Sequence, residues 1–306
     1  MPNSNFMKPV DLSKALVDVG EKKAALPIWK MFILGILAGC YIGFGAHLAT
    51  TVGTQFPDAL GLKKLVMGSV FTVGLMLVVI PGAELFTGNN LMSVSLCSGR
   101  ISMGSLLRNW VVVYLGNLVG SILLAFIIAK SSGLLAGAVG GTAIKIAVAK
   151  TSSGAIDGLN HNYAFFFRAI GCNWLVCLAV MMAIASNDIT GKIFGIFFPI
   201  MAFVASGFEH CVANMYFIPA GLYAKSFPSA IEAAGLGADK LAGLTWGTMW
   251  SQNLVAVTAG NIVGGAIFVG MLYFTAHVMG TEVCCNGNGK RNKADAEEAV
   301  LSTKSN

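Results

Sequence analysis

Apolar residues run through this chain in six long segments that are separated by short polar or charged stretches. Each segment holds about 20 mostly apolar residues, the length that an α-helix needs to cross the hydrocarbon core of a bilayer. Polar breaks interrupt the second and fifth segments near their ends. The pattern predicts an all-α membrane protein with six transmembrane helices, the second and fifth of them broken. The predicted spans are 28–50, 65–87, 106–129, 164–186, 192–217 and 251–279.

The two breaks resemble each other. Residues 81–90 read PGAELFTGNN and residues 205–215 read ASGFEHCVANM, so each places a small residue, a glutamate and an asparagine where lipid-facing helix would continue. An ionisable side chain at this depth is costly and is a candidate functional residue by default. Non-helical backbone at this depth persists only in protein or beside water. The breaks therefore predict a polar path through the protein.

A second near-repeat links the third and sixth spans. Residues 116–120 read GNLVG and residues 260–264 read GNIVG. Each half of the chain then contains three spans, and an odd number makes the second half run opposite to the first. This predicts an inverted 3+3 repeat, with the substrate path at the interface of the two halves.

Composition supports a membrane protein and argues against other classes. Of 306 residues, 56% are hydrophobic and 11% are charged, whereas a soluble domain carries about 25% charged residues. The net charge of +6 lies mainly at helix ends and in the tails, so no nucleic-acid partner is predicted. The seven cysteines show no metal spacing, and we expect neither a metal nor a cofactor. Cys284 and Cys285 are interpreted as unmodified tail cysteines, with palmitoylation as the alternative.

An even number of spans places both termini on one side of the membrane. That side holds twelve of the 20 lysines and arginines, which predicts cytoplasmic termini. We expect an N-terminal cytoplasmic amphipathic helix within 1–27, a transporter domain over 28–280 and a disordered cytoplasmic tail over 281–306. The connection 131–163, rich in Gly, Ser and Ala, is expected to be partly irregular.

The polar residues of the breaks have two kinds of predicted role: some brace the backbone, and others take part in transport. Glu84 and Glu209 can accept hydrogen bonds from backbone groups that the breaks free, and this bracing role is favoured over direct substrate contact. Of the four histidines, His210 alone lies well inside a span beside a carboxylate, whereas His161 falls in a predicted loop. Intramembrane histidines serve proton relays, so this role is weighed against that of a satisfied core histidine.

Three motifs resemble the formate/nitrite transporter family, over about residues 12–279. They are GAELFTGN at 82–89, GFEHCVANM at 207–215 and CNWLVCLAV at 172–180. The resemblance implies an aquaporin-like protomer with its own pore, assembled in the bilayer as a homo-pentamer. Members of this family move small monovalent anions or their acids.

The resemblance also implies roles for individual residues. His210 would face the pore, Thr87 would hydrogen-bond toward it, and Lys150 would attract anions in the outer vestibule, the alternative being a solvated loop lysine. Asn173 would lie near the inner constriction, and Asn89 and Asn214 would brace the breaks. The outer apolar constriction would comprise Phe71, Leu75 and Phe203, and the inner one Leu85, Phe86 and Val176.

The resulting hypothesis is a proton-linked channel or transporter for small weak-acid anions, formate first, in a plasma (inner) membrane. A bare anion faces a large desolvation cost in an apolar constriction, and its neutral acid does not. The anion would take a proton from bulk water or from His210. The competing mechanism is an anion channel in which His210 stays charged. Nitrite, hydrosulfide, acetate and lactate are the alternative substrates.

Other classes fit the sequence less well. A neutral-solute channel of aquaporin type would have paired Asn-Pro-Ala loops, and the chain has none. A membrane enzyme would need a nucleophile with its base or a metal set, so no catalytic residue is expected. A receptor or a purely structural bundle would not need two matched breaks.

Overall fold

A computed structural model of the protein describes residues 6–54, 56, 59–152 and 154–281. Six helices of this part are long and apolar enough to cross a membrane, which confirms the predicted number of spans. They are α2 (Ile28–Gly53), α3 (Leu60–Val79), α6 (Met103–Ser131), α8 (His161–Ala185), α9 (Ile189–Ser206) and α13 (Trp246–His277).

Shorter helices fill the connections. The segment after α3 contains α4 (Phe86–Asn89), a 3₁₀ turn (Asn90–Met92) and α5 (Ser93–Cys97). The remaining ones are α1 (Pro9–Ala24), α7 (Gly137–Thr151), α10 (Cys211–Ala224), α11 (Pro228–Ala234) and α12 (Ala238–Gly243).

The second and fifth spans are broken, as predicted, but their helices end earlier than expected. After Val79 the chain turns through Gly82, whose φ is +89°, and after Ser206 through Gly207, whose φ is +77°. Glycine tolerates this left-handed backbone because it has no Cβ. The predicted spans 65–87 and 192–217 therefore extend past the ends of these helices. The residues stay hydrophobic beyond the point where helical hydrogen bonding stops.

Equivalent helix pairs build the two halves of the inverted repeat. Helix α2 packs against α6, and α8 packs against α13. Glycines allow both close approaches: a Cβ on Gly120 would collide with the carbonyl of Ile36, and one on Gly264 with the carbonyl of Ile170. Small residues at helix contacts let two backbones approach in this way.

The connection 131–163 is partly irregular, as predicted, and also contains a helix that the sequence did not predict. This helix, α7, has 15 residues and packs against α10 and α11, whereas residues 132–136, 152 and 154–160 lie outside helices. At the other end of the protein, the apolar face of α1 packs Leu16 and Val17 against Leu91 and Val94. Residues 1–5 and 282–306 lie outside the described residues, and so does the predicted tail apart from Thr281.

Candidate functional site

Two buried side chains meet where the breaks approach each other. The Oγ1 atom of Thr87, from the first break, lies 2.9 Å from Nε2 of His210, from the second. Both residues are buried. The sequence predicted this pair, and the structure brings the two residues together at the interface between the halves.

The hydrogen bonds of His210 fix the tautomer of its ring. Its Nδ1 atom accepts the backbone N–H of Ala213 at 3.0 Å, so the imidazole caps the N-terminus of α10. A neutral ring then carries its proton on Nε2 and donates it to Thr87. Protonation of Nδ1 would break the cap, so the geometry favours the neutral ring.

One asparagine clamps each break. Asn261 on α13 donates to the backbone oxygens of Glu209 and Ala169 and accepts the N–H of Cys211, so it holds both neighbours of His210. Asn117 on α6 makes the equivalent bonds to Glu84 O, Gly35 O and Phe86 N. These residues were not predicted as site residues, although each is the asparagine of a GN(L/I)VG repeat.

Glu209 belongs to a closed ring of polar side chains, called here the Lys150 ring. Nζ of Lys150 donates to both carboxylate oxygens, at 2.9 and 2.8 Å. Nδ2 of Asn214 donates to Glu209 at 2.7 Å and to Oδ1 of Asn253 at 2.8 Å. Asn253 donates back to the carbonyl of Lys150 at 3.0 Å. Each of the four residues thus bonds to two others of the ring, and Oδ1 of Asn214 is buried without a partner among the described residues.

The first half contains the same ring, called here the Lys23 ring. Nζ of Lys23 lies 2.6 Å from a carboxylate oxygen of Glu84, and Nδ2 of Asn89 donates to the other oxygen at 2.7 Å. Asn89 also donates to Asn109 at 2.8 Å, and Asn109 donates to the carbonyl of Lys23 at 3.3 Å. Sequence reasoning missed Lys23, because nothing in the sequence identifies α1 as the counterpart of α7.

A cavity opens beside each ring. The Lys150 cavity has a volume of about 150 Å³ and reaches His210, and the Lys23 cavity has a volume of about 260 Å³. Lys150, Glu209, Asn214, Phe71, Phe203 and His210 line the first. Lys23, Glu84, Asn89, Leu75, Leu85 and Gly88 line the second. Two vestibules thus approach one buried centre from opposite sides.

Buried aromatic side chains close the Lys150 cavity toward the centre. The rings of Phe71 and Phe203 meet edge to face with centroids 5.7 Å apart, and Phe203 lies 5.9 Å from the imidazole of His210. All three are buried. Thr87 bonds to His210, and we call the cluster of these four residues, Phe71, Phe203, His210 and Thr87, the plug.

The other predicted constriction residues lie in different surroundings. Leu75 and Leu85 both line the Lys23 cavity, whereas Leu75 was expected at the outer constriction. Phe86 packs its ring against Trp110 and Tyr114, at centroid distances of 6.1 and 5.1 Å, and is absent from the linings of both cavities.

Two further predicted residues, Val176 and Asn173, are buried in the protein and line neither cavity. Val176 is buried within the core. Nδ2 of Asn173 donates to the carbonyls of Thr87 and Asn261, at 3.2 and 2.7 Å, and to Oδ1 of Asn90 at 2.8 Å. Asn173 thus ties the first break to the helix that clamps the second. Among the described residues, no three His, Cys, Asp or Glu side chains converge as a metal site would require.

Six spans in an inverted repeat, with two cavities on opposite sides of a buried plug, define an integral membrane channel or transporter of aquaporin-like architecture. Residues 10–275 match the family model described as "Formate/nitrite transporter". The chain belongs to the formate/nitrite transporter family.

Known proteins resemble the chain over most of its length. A probable formate transporter of Methanothermobacter thermautotrophicus is 46% identical over 290 residues, covering 90% of this chain and 98% of that protein. The formate channel FocA of Escherichia coli K12 is 35% identical over 283 residues, covering 90% and 95%. The solved structure of a pentameric formate channel with formate bound superimposes with a TM-score of 0.74 at 39% identity, covering 82% and 98%.

Proposed function

We propose that this protein moves formate across a membrane together with a proton. The observation that carries the proposal is the plug, in which the Thr87–His210 pair stands behind two phenylalanine rings, with a lysine-bearing cavity on either side. Relatives named formate channels and a formate-bound structure support formate as the substrate. The site residues act in binding and passage, and none is assigned a catalytic role.

Each cavity offers an anion a positive group at the edge of an apolar passage. Lys150 or Lys23 draws the anion in by Coulomb attraction. The plug is built from two buried phenylalanine rings and a single polar pair, so an anion entering it loses its hydration without full replacement. Formic acid is neutral, and its passage avoids this cost.

The proton comes from water in the cavity, and His210 stays neutral. The Nδ1 atom of His210 accepts the Ala213 N–H, so this nitrogen is not free to take up a proton. A neutral imidazole that gave up its Nε2 proton would become an anion, which is costly at this depth. Instead, the Nε2–H group donates a hydrogen bond to the passing molecule, in exchange with Thr87.

Assembly and location follow from the relatives and from charge. We infer a homo-pentamer, because a pentameric channel matches 82% of this chain. The proposed location is a plasma membrane with cytoplasmic termini, because one side holds twelve of the 20 lysines and arginines. The Lys23 cavity then faces the cytoplasm and the Lys150 cavity faces outward.

Proteoliposomes test the substrate assignment. The purified protein should take up formate faster than protein-free vesicles do, and formate should be preferred over acetate and lactate because the plug is narrow. Nitrite is the second candidate, since the family model names it and a formate-nitrite transporter of Entamoeba histolytica is 34% identical. Formate uptake no faster than in empty vesicles would refute the proposal.

A further inference from the structure

A buried histidine without hydrogen-bond partners lies beside the Lys150 ring. His161, predicted to be in a loop, is the first residue of α8 and is only 3% exposed. Its imidazole stacks on Phe165 with centroids 4.0 Å apart. Neither ring nitrogen has a partner among the described residues. Buried polar groups nearly always have one, so this exception requires an explanation.

Both polar neighbours of the imidazole are acceptors. The backbone carbonyls of Lys150 and Gln252 lie next to the ring, without the alignment of a hydrogen bond. Lys150 is in the last turn of α7, where carbonyls lack helical partners and the helix dipole favours a positive charge. Gln252 lies in the π-helical segment Trp250–Leu254 of α13. Two acceptors suit an imidazolium, in which both nitrogens donate.

The charged groups around the ring come from three elements. Burial of the ring is the largest influence and disfavours its protonated form; the carboxylate of Glu209, between α9 and α10, attracts that form, and the guanidinium of Arg168, on α8 itself, repels it. Helix α7 contributes the ammonium of Lys150, which is bound to Glu209. Helix α13 contributes the carbonyl of Gln252, and among the described residues no ionisable side chain of α13 interacts with the ring.

We propose that His161 is a proton-binding site that couples pH on the Lys150 side of the membrane to the Lys150–Glu209 pair. The proton comes from a hydronium ion: its O–H bond breaks and an N–H bond forms on the imidazole. The exposed residues 154–155 and 157–160 immediately before α8 leave a short path from water. The imidazolium then donates to the two carbonyls that lie beside it.

The added charge changes what Lys150 can bind. An imidazolium competes with Lys150 for the carboxylate of Glu209, so the ammonium becomes more available to an incoming anion. Acid on this side therefore strengthens anion recruitment at the Lys150 cavity. This inference rests on the proposed transport function for its effect on flux, but the protonation of His161 itself does not.

The protonation can be observed directly. NMR of ring nitrogens in the full-length protein should give signals from four histidines, and His161→Gln identifies the one that belongs to His161. We expect this signal to move toward its protonated position as the bulk pH is lowered from about 8 to about 5. His161→Phe keeps the stack on Phe165 and removes the proton site, so it separates packing from protonation.

Transport then tests the consequence. With formate supplied on the Lys150 side, the KM of the parent should be about threefold lower at acid than at alkaline pH. His161→Gln and His161→Phe should both reduce this ratio, leaving the part that comes from protonation of formate by water. His277→Gln, at the far end of α13, is the control and should retain it.

Two results would overturn the proposal: a His161 signal that stays constant over this pH range, or variants that retain the parent's KM ratio. A parent protein that moves no formate contradicts the proposed function instead. In that case the NMR titration still tests whether His161 binds a proton, because this measurement requires no substrate.

Discussion

At the scale of the residue, His210 is a donor held in one tautomer by its own helix. Its Nδ1 atom caps α10 and its Nε2 atom faces Thr87. Asparagine at this position can keep the cap through Oδ1, since it is a favoured N-cap residue. The exchange therefore removes the donor to Thr87 without unfolding the break.

We predict that His210→Asn lowers formate flux about fivefold, the effect of losing a hydrogen bond worth ~1 kcal/mol. Flux through the variant should still rise as the pH falls, because the proton is taken from water. Stopped-flow uptake in proteoliposomes at several pH values measures both quantities. Flux that no longer depends on pH would instead favour a relay through His210.

The two lysine–glutamate pairs make a second residue-scale prediction. Lys150 and Glu209 have side chains only 15% and 8% exposed, and removing one partner of a buried pair leaves an uncompensated charge. We expect Lys150→Met to destabilise the protein by roughly 3 kcal/mol. The double variant Lys150→Met with Glu209→Gln should recover most of that loss.

Lys23→Met is the matched variant in the other half. Its expected cost is smaller, because Lys23 is 24% exposed and partial exposure screens the charge. Thermal unfolding in detergent measures both costs. Equal unfolding temperatures for the Lys150→Met and parent proteins would contradict the account of the ring.

At the scale of the element, the breaks persist because the opposite spans clamp them. Asn261 satisfies three backbone groups around His210, and Asn117 does the same around Leu85. Each repeat thus uses its last span to hold open the break in its middle span. The clamps hold the plug in place although they do not line it.

We predict that Asn261→Leu abolishes formate flux and lowers the unfolding temperature. Three backbone groups would lose their partner, at about 1–3 kcal/mol for each group left unsatisfied. Asn117→Leu should destabilise to a similar degree because it makes equivalent bonds. Flux and thermal unfolding, measured on the same preparations, check both variants. Parent-like flux through Asn261→Leu would show that α13 does not position His210.

The sequence predicted elements better where a pattern repeats than where it does not. Six spans and two breaks follow from hydrophobicity and from the matched motifs, because burial in lipid constrains composition directly. Helix α7 escaped prediction because glycines occupy its first turns and Gly and Ser residues flank it, although its alanines favour a helix. The end of α3 at Val79 is set by the backbone at Gly82, which hydrophobicity does not report.

At the scale of the whole molecule, inverted symmetry gives each half of the protein an equivalent polar ring beside a cavity. Each residue of one ring has a counterpart in the other. The pairs are Lys23 and Lys150, Glu84 and Glu209, Asn89 and Asn214, and Asn109 and Asn253. The sequence showed the glutamates and asparagines of the breaks but not Lys23. That correspondence depends on how α1 and α7 dock, which involves contacts between residues far apart in the chain.

The symmetry ends at the centre, where the chemistry differs. The clamps hold Leu85 in the first break and His210 in the second, and Thr87 comes from the first half alone. Two corresponding rings and cavities therefore flank one plug with a single polar pair. Under the proposed function, net flux follows the gradients of the anion and the proton.

The most direct test of this account is a count of protons moved with formate. Proteoliposomes containing a pH-sensitive dye and no other ion pathway would receive a formate gradient, while uptake is followed by labelled formate. Passage as the neutral acid predicts acidification of the lumen by one proton for each formate, with no build-up of membrane potential. Formate entry that generates an inside-negative potential and leaves the lumenal pH unchanged would contradict the account.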